Sequence, residues 1–136
     1  MSAFDALDAI MLRTDLVLFG RPATIHPMKT GAAGVNAKPV AETDPARATL
    51  TGVRVIRSEW SERVQIGGEG LPTPPGHFKA AARGFPHVAT VMPASLAWAP
   101  RKGDEIEYDD RPGQRYRIAE PMPDGGAGLH CGCVKL

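Results

Sequence analysis

This sequence of 136 residues lacks a dominant charge, a long apolar run and a targeting signal. Its 16 Lys and Arg residues nearly balance 15 Asp and Glu residues, so no sequence-wide field draws it to nucleic acid or to acidic membranes. No window approaches the roughly 18 apolar residues of a membrane span, and no basic region precedes an apolar stretch at the N-terminus. We expect one cytosolic domain over residues 1–136, in which any DNA contact is local.

Motifs of catalysis are missing as well. The chain has no G-x-S-x-G, no G-x-x-x-x-G-K-[ST] and no H-E-x-x-H, and the glycines at 67–70 lack the strand-to-helix context of a phosphate loop. The carboxylates within 105–110 are typical of the solvated face of a hairpin and not of a pair of acids in a cleft. We therefore expect no enzymatic activity, no catalytic residue and no cofactor.

Cysteine is scarce, and both copies lie near the C-terminus, in His130-Cys131-Gly132-Cys133. Strand alternation places His130 opposite the two cysteines, and one C-x-C supplies only two of the four ligands of a structural zinc site. A disulfide between residues two apart on a strand would be strained. We interpret Cys131 and Cys133 as small core residues and expect no metal. A thiol or metal enzyme that uses them is the minority alternative.

Glycine and proline are abundant, at 15 and 13 residues, which favours short strands and loops over long helices. Only residues 2–19, which precede a Gly-Arg-Pro stop, have apolar positions at helical spacing: Phe4, Leu7, Met11 and Leu18. We predict one amphipathic helix whose apolar stripe packs against the body of the protein.

Alternation of apolar and polar residues predicts the strands. Extended segments are expected at 22–26, 47–57 and 87–93, followed by a hairpin around a D-R-P-G turn and by a terminal strand. In the hairpin, two glutamates should pair with two arginines on an exposed face: Glu105, Glu107, Arg115 and Arg117. The expected fold is mainly β, a small antiparallel β-sandwich or barrel with an N-terminal α-helix and two long loops.

The two long loops are residues 27–46 and 58–86, which have neither a strand nor a helix pattern. Loops beyond about 15 residues are usually functional or disordered, and the second contains large aromatic residues. We predict that this second loop binds partner proteins through its aromatic and basic side chains: Trp60, Arg63, Phe78, Lys79, Arg83 and Phe85. The alternative is that Trp60 or Phe85 plugs the edge of the domain's own core.

The order of these elements resembles the head-tail joining proteins of tailed bacteriophages, the lambda tail-attachment group. The similarity covers nearly the whole chain. Its most specific part is APRKGDEIEYDDRPGQRYRIAEPMPDGGAGLHC, which has a basic R-K-G-D turn, two strands around a turn, a P-D-G-G turn and a final strand.

This resemblance implies a structural protein of the virion neck, assembled in the host cytoplasm. It would form a homo-oligomeric ring, expected to be a hexamer, with portal and adaptor proteins above it and tail terminator or tail tube proteins below. Packaged DNA would pass through the ring without sequence preference, and the ring would help to retain it. The candidate DNA contacts are Lys29 and Lys38, with Lys79 and Arg83 in the second loop. No membrane contact is expected.

The main alternative from another functional class is a small cytosolic binding module. Its SH3-like or OB-like barrel would hold nucleic acid or a peptide. Such a module would be monomeric and would bind oligonucleotides in a salt-sensitive manner, whereas a neck protein would assemble.

Overall fold

One helix and eight strands make up the part of the chain that the structure describes. The computed structural model describes residues 3–31, 34–59 and 85–136. The helix is α1 (Ala3–Phe19), and a short 3-10 turn covers Pro93–Ser95. The strands are β1 (Arg21–His26), β2 (Met28–Thr30), β3 (Ala41–Thr43), β4 (Leu50–Glu59), β5 (His87–Val91), β6 (Glu105–Tyr108), β7 (Arg115–Pro123) and β8 (Leu129–Lys135).

Six of these strands close into an antiparallel barrel in the order β1-β4-β5-β8-β7-β6. Alternate residues of each strand point inward and fill the barrel, as expected for a closed sheet of this size. The core consists of Ala23, Ile25, Val53, Val55, Ala89, Val91, Ile106, Tyr108, Tyr116, Ile118, Leu129, Cys131 and Cys133. The predicted mainly β fold with an N-terminal helix is confirmed, and of the two expected architectures the protein adopts the barrel.

The predicted hairpin is formed by β6 and β7, in which Ile106 lies opposite Tyr116. Glu105 lies opposite Arg117 and also approaches Arg115, whose Nη1 is 3.1 Å from its carboxylate. The expected pairing of opposite charges is therefore present. The expectation that the whole pairing is exposed was wrong for Glu105, which is buried.

Strand β4 begins later than predicted and continues to Glu59. Its register against β1 shifts between Ala23 and Ile25, so that two residues of β4 lie opposite one residue of β1. Gly52, at the shift, has a φ of 65°, a conformation that residues with a Cβ rarely adopt. The shift is therefore a β-bulge built around this glycine.

The segment 27–46 contains a small hairpin, so the prediction that it has no strands was wrong. Met28 of β2 lies opposite Thr43 of β3, and the N–H of Gly31 donates to the carbonyl of Val40 at 2.8 Å. Each strand has three residues, and none of the six is buried. No alternation of apolar and polar residues can arise in so short and so exposed a pair.

The predicted helix forms, but its apolar stripe does not pack against the barrel. Leu16 is the buried residue of α1. The side chains on which the prediction was based are exposed: Phe4, Leu7, Met11 and Leu18. Helical spacing determines which residues share a face but not which surroundings that face meets, and this explains the error.

A buried ion pair connects the β2–β3 hairpin to the turn before β6. The fully buried carboxylate of Asp104 accepts hydrogen bonds from both terminal nitrogens of Arg47, at 2.8 and 2.9 Å. It also accepts the backbone N–H of Met28 at 3.0 Å and that of Arg101 at 2.8 Å. Four donors thus satisfy a carboxylate that has no access to water, as a buried charge requires.

The remaining contacts of Arg47 extend this connection. Its Nε donates to Asp44 at 3.0 Å, and Nη2 also donates to the carbonyl of Met28 at 3.0 Å. The guanidinium lies 4.7 Å from the ring centre of Trp98, whose indole N–H donates to the carbonyl of Ala48 at 2.8 Å. Cation–π stacking and hydrogen bonds therefore fix the guanidinium on every side.

Most of the predicted loop 58–86 lies outside the described residues. This applies to Trp60, Arg63, Phe78, Lys79 and Arg83. Within the described ranges, no helix is both long enough and apolar enough to cross a membrane.

Candidate functional site: an apolar helix surface beside a rigid barrel

One side of α1 presents a continuous apolar surface to solvent, which we call the apolar arc. At about 100° per residue, eight positions of the helix fall within roughly 140° and include no charged residue. Thr14 is one of them, and its hydroxyl is satisfied by the Ile10 carbonyl at 2.9 Å. Ala3 is another, and the six larger side chains are 53–83% exposed: Phe4, Leu7, Ile10, Met11, Val17 and Leu18.

The opposite side of α1 is fixed to the barrel. Leu16 is buried, and a carboxylate oxygen of Asp8 accepts the backbone N–H of Ala127, in the β7–β8 turn, at 2.8 Å. The helix ends at Gly20, where a Cβ would collide with the Leu16 carbonyl and where Arg54 of β4 donates to the backbone oxygen at 3.1 Å. These contacts hold the helix with its apolar arc facing away from the barrel.

An apolar surface of this size lies at the upper end of what a single soluble protein exposes. Six half-exposed large side chains expose on the order of 600 Å², and one partner contributes about 800 Å² to a standard protein interface. Contiguous exposed apolar patches mark interaction sites. The apolar arc is therefore the strongest candidate for a docking surface within the described residues.

A polar cluster lies where the segment 60–84 leaves and rejoins the barrel. Glu59 ends β4, His87 begins β5, and the two residues are direct partners across these strands. The Nδ1–H of His87 donates to Glu59 at 2.9 Å, so Nε2 is the acceptor for the hydroxyl of Tyr108 at 2.8 Å. The imidazole also stacks on the ring of Tyr116 at a centroid distance of 4.1 Å.

Arg111, in the β6–β7 turn, completes this cluster. Its Nη1 and Nη2 bind the two oxygens of Glu59 at 2.6 and 3.1 Å, and Nη1 also donates to the hydroxyl of Tyr116 at 2.7 Å. The two ends of the segment 60–84 are thereby joined to each other and to the hairpin turn. The base of this segment is a rigid part of the barrel.

The environment of the cluster sets its protonation. The hydrogen bonds from Arg111 and His87 favour the ionised carboxylate and lower the pKa of Glu59 to about 2. Burial lowers the pKa of His87, and the hydrogen bond to Glu59 opposes this in part. Burial also raises the pKa of Tyr108. At neutral pH, Glu59 is therefore charged, and His87 and Tyr108 are neutral.

Glu59, His87 and Tyr108 are hydrogen-bonded in the same sequence of acid, imidazole and hydroxyl as a catalytic relay. Unlike such a relay, this one is not accessible to a substrate. Tyr108 is fully buried inside the barrel, so its hydroxyl cannot reach a substrate. The chain of hydrogen bonds satisfies polar groups in the core, which is a structural role.

A basic groove lies between the β2–β3 hairpin and the turn before β6. It has a volume of about 490 Å³ and is lined by three cations, Lys29, Lys102 and Arg117, and by no carboxylate of the described chain. Lys29 is 3.3 Å from Glu42, whereas Lys102 makes no ion pair with any described residue. Lys38, the other residue predicted to contact DNA, is exposed and does not line this groove.

Of the predicted partner-binding residues, Phe85 is the one that the structure describes. Its ring lies against Gly132 of β8 so closely that a Cβ there would collide with it. This position fits the alternative expectation for Phe85, that it covers the edge of the core. The glycine is therefore required by the close approach of an aromatic ring.

The cysteines occupy the core positions that were predicted for them. Cys131 and Cys133 are fully buried and unpaired, and burial raises the pKa of each thiol to about 12. The thiolate, which is the nucleophilic and metal-binding form, is therefore disfavoured at neutral pH. Among residues 3–31, 34–59 and 85–136, no cluster of three or more His, Cys, Asp or Glu residues could hold a metal ion.

Sequence reasoning missed Asp104, Arg47 and the His87 cluster. One signal was available for His87, because it shares the inward face of its predicted strand with Ala89 and Val91. A histidine at such a position needs buried polar partners.

The polar cluster predicts a loss of stability at acidic pH. Glu59 has a folded pKa below its unfolded value near 4.5, so its contribution is present above pH 4.5 and is lost as the pH falls toward 2. Chemical denaturation should show the stability difference between the wild-type protein and Glu59→Gln shrinking across this window. For Glu120→Gln, an exposed control, the difference should stay small. A difference for Glu59→Gln that is independent of pH would contradict this account of the cluster.

One of two comparisons with known proteins places the chain in a family. A search of curated proteins finds no significant match. The profile of a family described as Phage Head-Tail Attachment protein matches residues 1–133. Because this match spans nearly the entire chain, the protein belongs to the phage head-tail attachment protein family.

Proposed function

We propose that this protein is a non-enzymatic component of the virion neck that joins the DNA-filled head to the tail. Membership of the head-tail attachment family supports a structural phage role. The observation that carries the proposal is the apolar arc, since a surface of exposed Phe, Leu, Ile and Met side chains is typical of a subunit that is buried on assembly. The closed barrel supplies the rigid body that such a subunit needs.

The proposed assembly is a homo-oligomeric ring, a hexamer in our interpretation, between the portal and adaptor proteins and the tail terminator or tail tube. A ring requires different surfaces of one subunit to meet neighbouring copies. It also requires surfaces for partners above and below. A barrel can provide both kinds of surface when separate elements, here α1 and the segment 58–86, are attached to a core formed by the strands.

We also propose that the segment 58–86 binds a neck partner. The proposed contact residues are Trp60, Arg63, Phe78, Lys79, Arg83 and Phe85. The rigid base of the segment supports this, because the pairing of Glu59 with His87 fixes where it leaves and rejoins the barrel. A fixed base reduces the entropy that the segment loses on binding.

DNA retention is a further part of the proposal. The basic groove supports it, because three cations line it: Lys29, Lys102 and Arg117. Lys29 is paired with Glu42 and Arg117 with Glu105, whereas Lys102 makes no ion pair with any described residue and is the cation that a phosphate would meet. Cations in such a groove bind phosphates without reading base sequence. Lys38 is retained as a proposed contact outside the groove.

Head-tail joining can be tested by replacing residues 62–82 with a Gly/Ser linker of the same length. The core residues that the structure describes all lie outside this range, so we expect circular dichroism and thermal melting to change little. In infected cells, filled heads and finished tails should accumulate separately. The matched control is Val134→Ala, which alters an exposed apolar residue of β8 and should leave joining intact.

Two results would contradict the role of this segment. Intact infectious particles from the linker variant would show that residues 62–82 are not needed for joining. A linker variant that fails to fold would show that they belong to the core.

DNA binding can be tested by fluorescence anisotropy with a duplex of arbitrary sequence at several salt concentrations. Lys102→Gln should weaken binding and reduce the slope of log K against log salt by about one, because one phosphate contact is lost. Lys135→Gln, at an exposed cation outside the groove, should change neither quantity. Equal effects of the two substitutions would argue against the groove as the DNA contact.

A further inference from the structure

The apolar arc has the spacing of a coiled-coil seam. Phe4, Leu7, Met11, Thr14 and Leu18 are separated alternately by three and four residues, which are the a and d positions of a heptad repeat. This spacing keeps a stripe aligned along a neighbouring helix. The geometry therefore favours an α-helix as the occupant of the arc.

The side chains on the two flanks of this seam restrict which kind of helix can pair with α1. The e positions, on one flank, are Asp8 and Asp15, and the g positions, on the other, are Ile10 and Val17. Asp8 is bound to the β7–β8 turn, so the exposed Asp15 is the charge that a partner would meet on one flank, and the other flank is apolar. Residues at e and g set partner choice and orientation in helix pairs.

A second copy of α1 offers no positive charge opposite the aspartates on these flanks. In an antiparallel pair, each e position faces the e position of the partner, which would bring aspartates together. In a parallel pair, e faces g, which would place each aspartate against Ile10 or Val17 of the other copy. Neither arrangement provides an opposite charge, whereas a helix with Lys or Arg on its flanks does.

We propose that α1 docks in parallel or antiparallel fashion onto an amphipathic α-helix of a different neck protein, whose apolar stripe is flanked by Lys or Arg. This inference rests on the proposed function, since it names the kind of partner that the apolar arc meets. The seam covers only about two heptads, too few for stable pairing of free helices. Attachment of α1 to the barrel through Leu16 and Asp8 removes part of the ordering cost.

The test uses the full chain and two labelled helical peptides, both with Leu at a and d, one with Lys and the other with Glu at e and g. Anisotropy at low salt should show at least tenfold tighter binding of the Lys peptide. Leu7→Gln should weaken this binding at least tenfold, and Ala6→Gln, at the neighbouring position outside the arc, should change it less than twofold. Both variants should melt like the wild-type protein, because neither side chain is buried.

Three outcomes would overturn the proposal. The first is binding of neither peptide, and the second is binding that Leu7→Gln leaves unchanged. The third is a dimer in sedimentation velocity that Leu7→Gln abolishes, which would identify a second copy as the occupant.

Complementation in infected cells separates this inference from the proposed function. If heads and tails join in the absence of the chain, the proposed function itself fails. If joining requires the chain but proceeds normally with Leu7→Gln, the function stands and the partner helix is excluded.

Discussion

The structure depends on one buried charge, the carboxylate of Asp104. Arg47 and two backbone N–H groups surround it completely, and each of these donors belongs to a different part of the chain. Removing a partner from such a site leaves an uncompensated charge, which costs more than an exposed ion pair contributes. The β2–β3 hairpin, the turn before β6 and the path of residues 44–48 are therefore fixed together. The two walls of the basic groove are fixed by the same carboxylate.

The barrel and the proposed docking elements are physically separate. The core is formed by inward-facing residues of six strands, and α1 adds only Leu16 to the buried residues. The apolar arc therefore contributes little to the stability of the subunit. It exposes apolar area to water, which is unfavourable until another surface covers it. The barrel can therefore fold while the apolar arc is uncovered.

The sequence predicted the parts of the fold that have a local signature. The hairpin of β6 and β7 and the terminal strand have clear alternation, and the turn between β6 and β7 has its own turn residues. The β2–β3 hairpin has no such signature, because neither face of it is buried. For α1, the predicted helix is correct, but the prediction that its apolar stripe packs against the barrel is wrong. Only the tertiary structure decides whether such a stripe faces the barrel or solvent.

The candidate site was harder to predict than the fold. The predicted partner-binding residues were placed in the segment 58–86, and of these only Phe85 lies in the described part, against Gly132. The apolar arc was interpreted as core packing. The ion pair of Arg47 and Asp104 joins residues that are 57 positions apart, a separation at which no local pattern exists. Likewise, the Glu59–His87–Tyr108 cluster joins three strands.

The central claim is that the scaffold is held by Asp104, and the free energy of unfolding of Asp104→Ala in urea tests it most directly. Losing one partner of a buried, hydrogen-bonded ion pair should cost about 3 to 5 kcal/mol. The matched control is Asp109→Ala, at an exposed carboxylate five residues further along the chain, which should stay within about 0.5 kcal/mol of the wild-type protein. A loss for Asp104→Ala no larger than that of the control would contradict the claim.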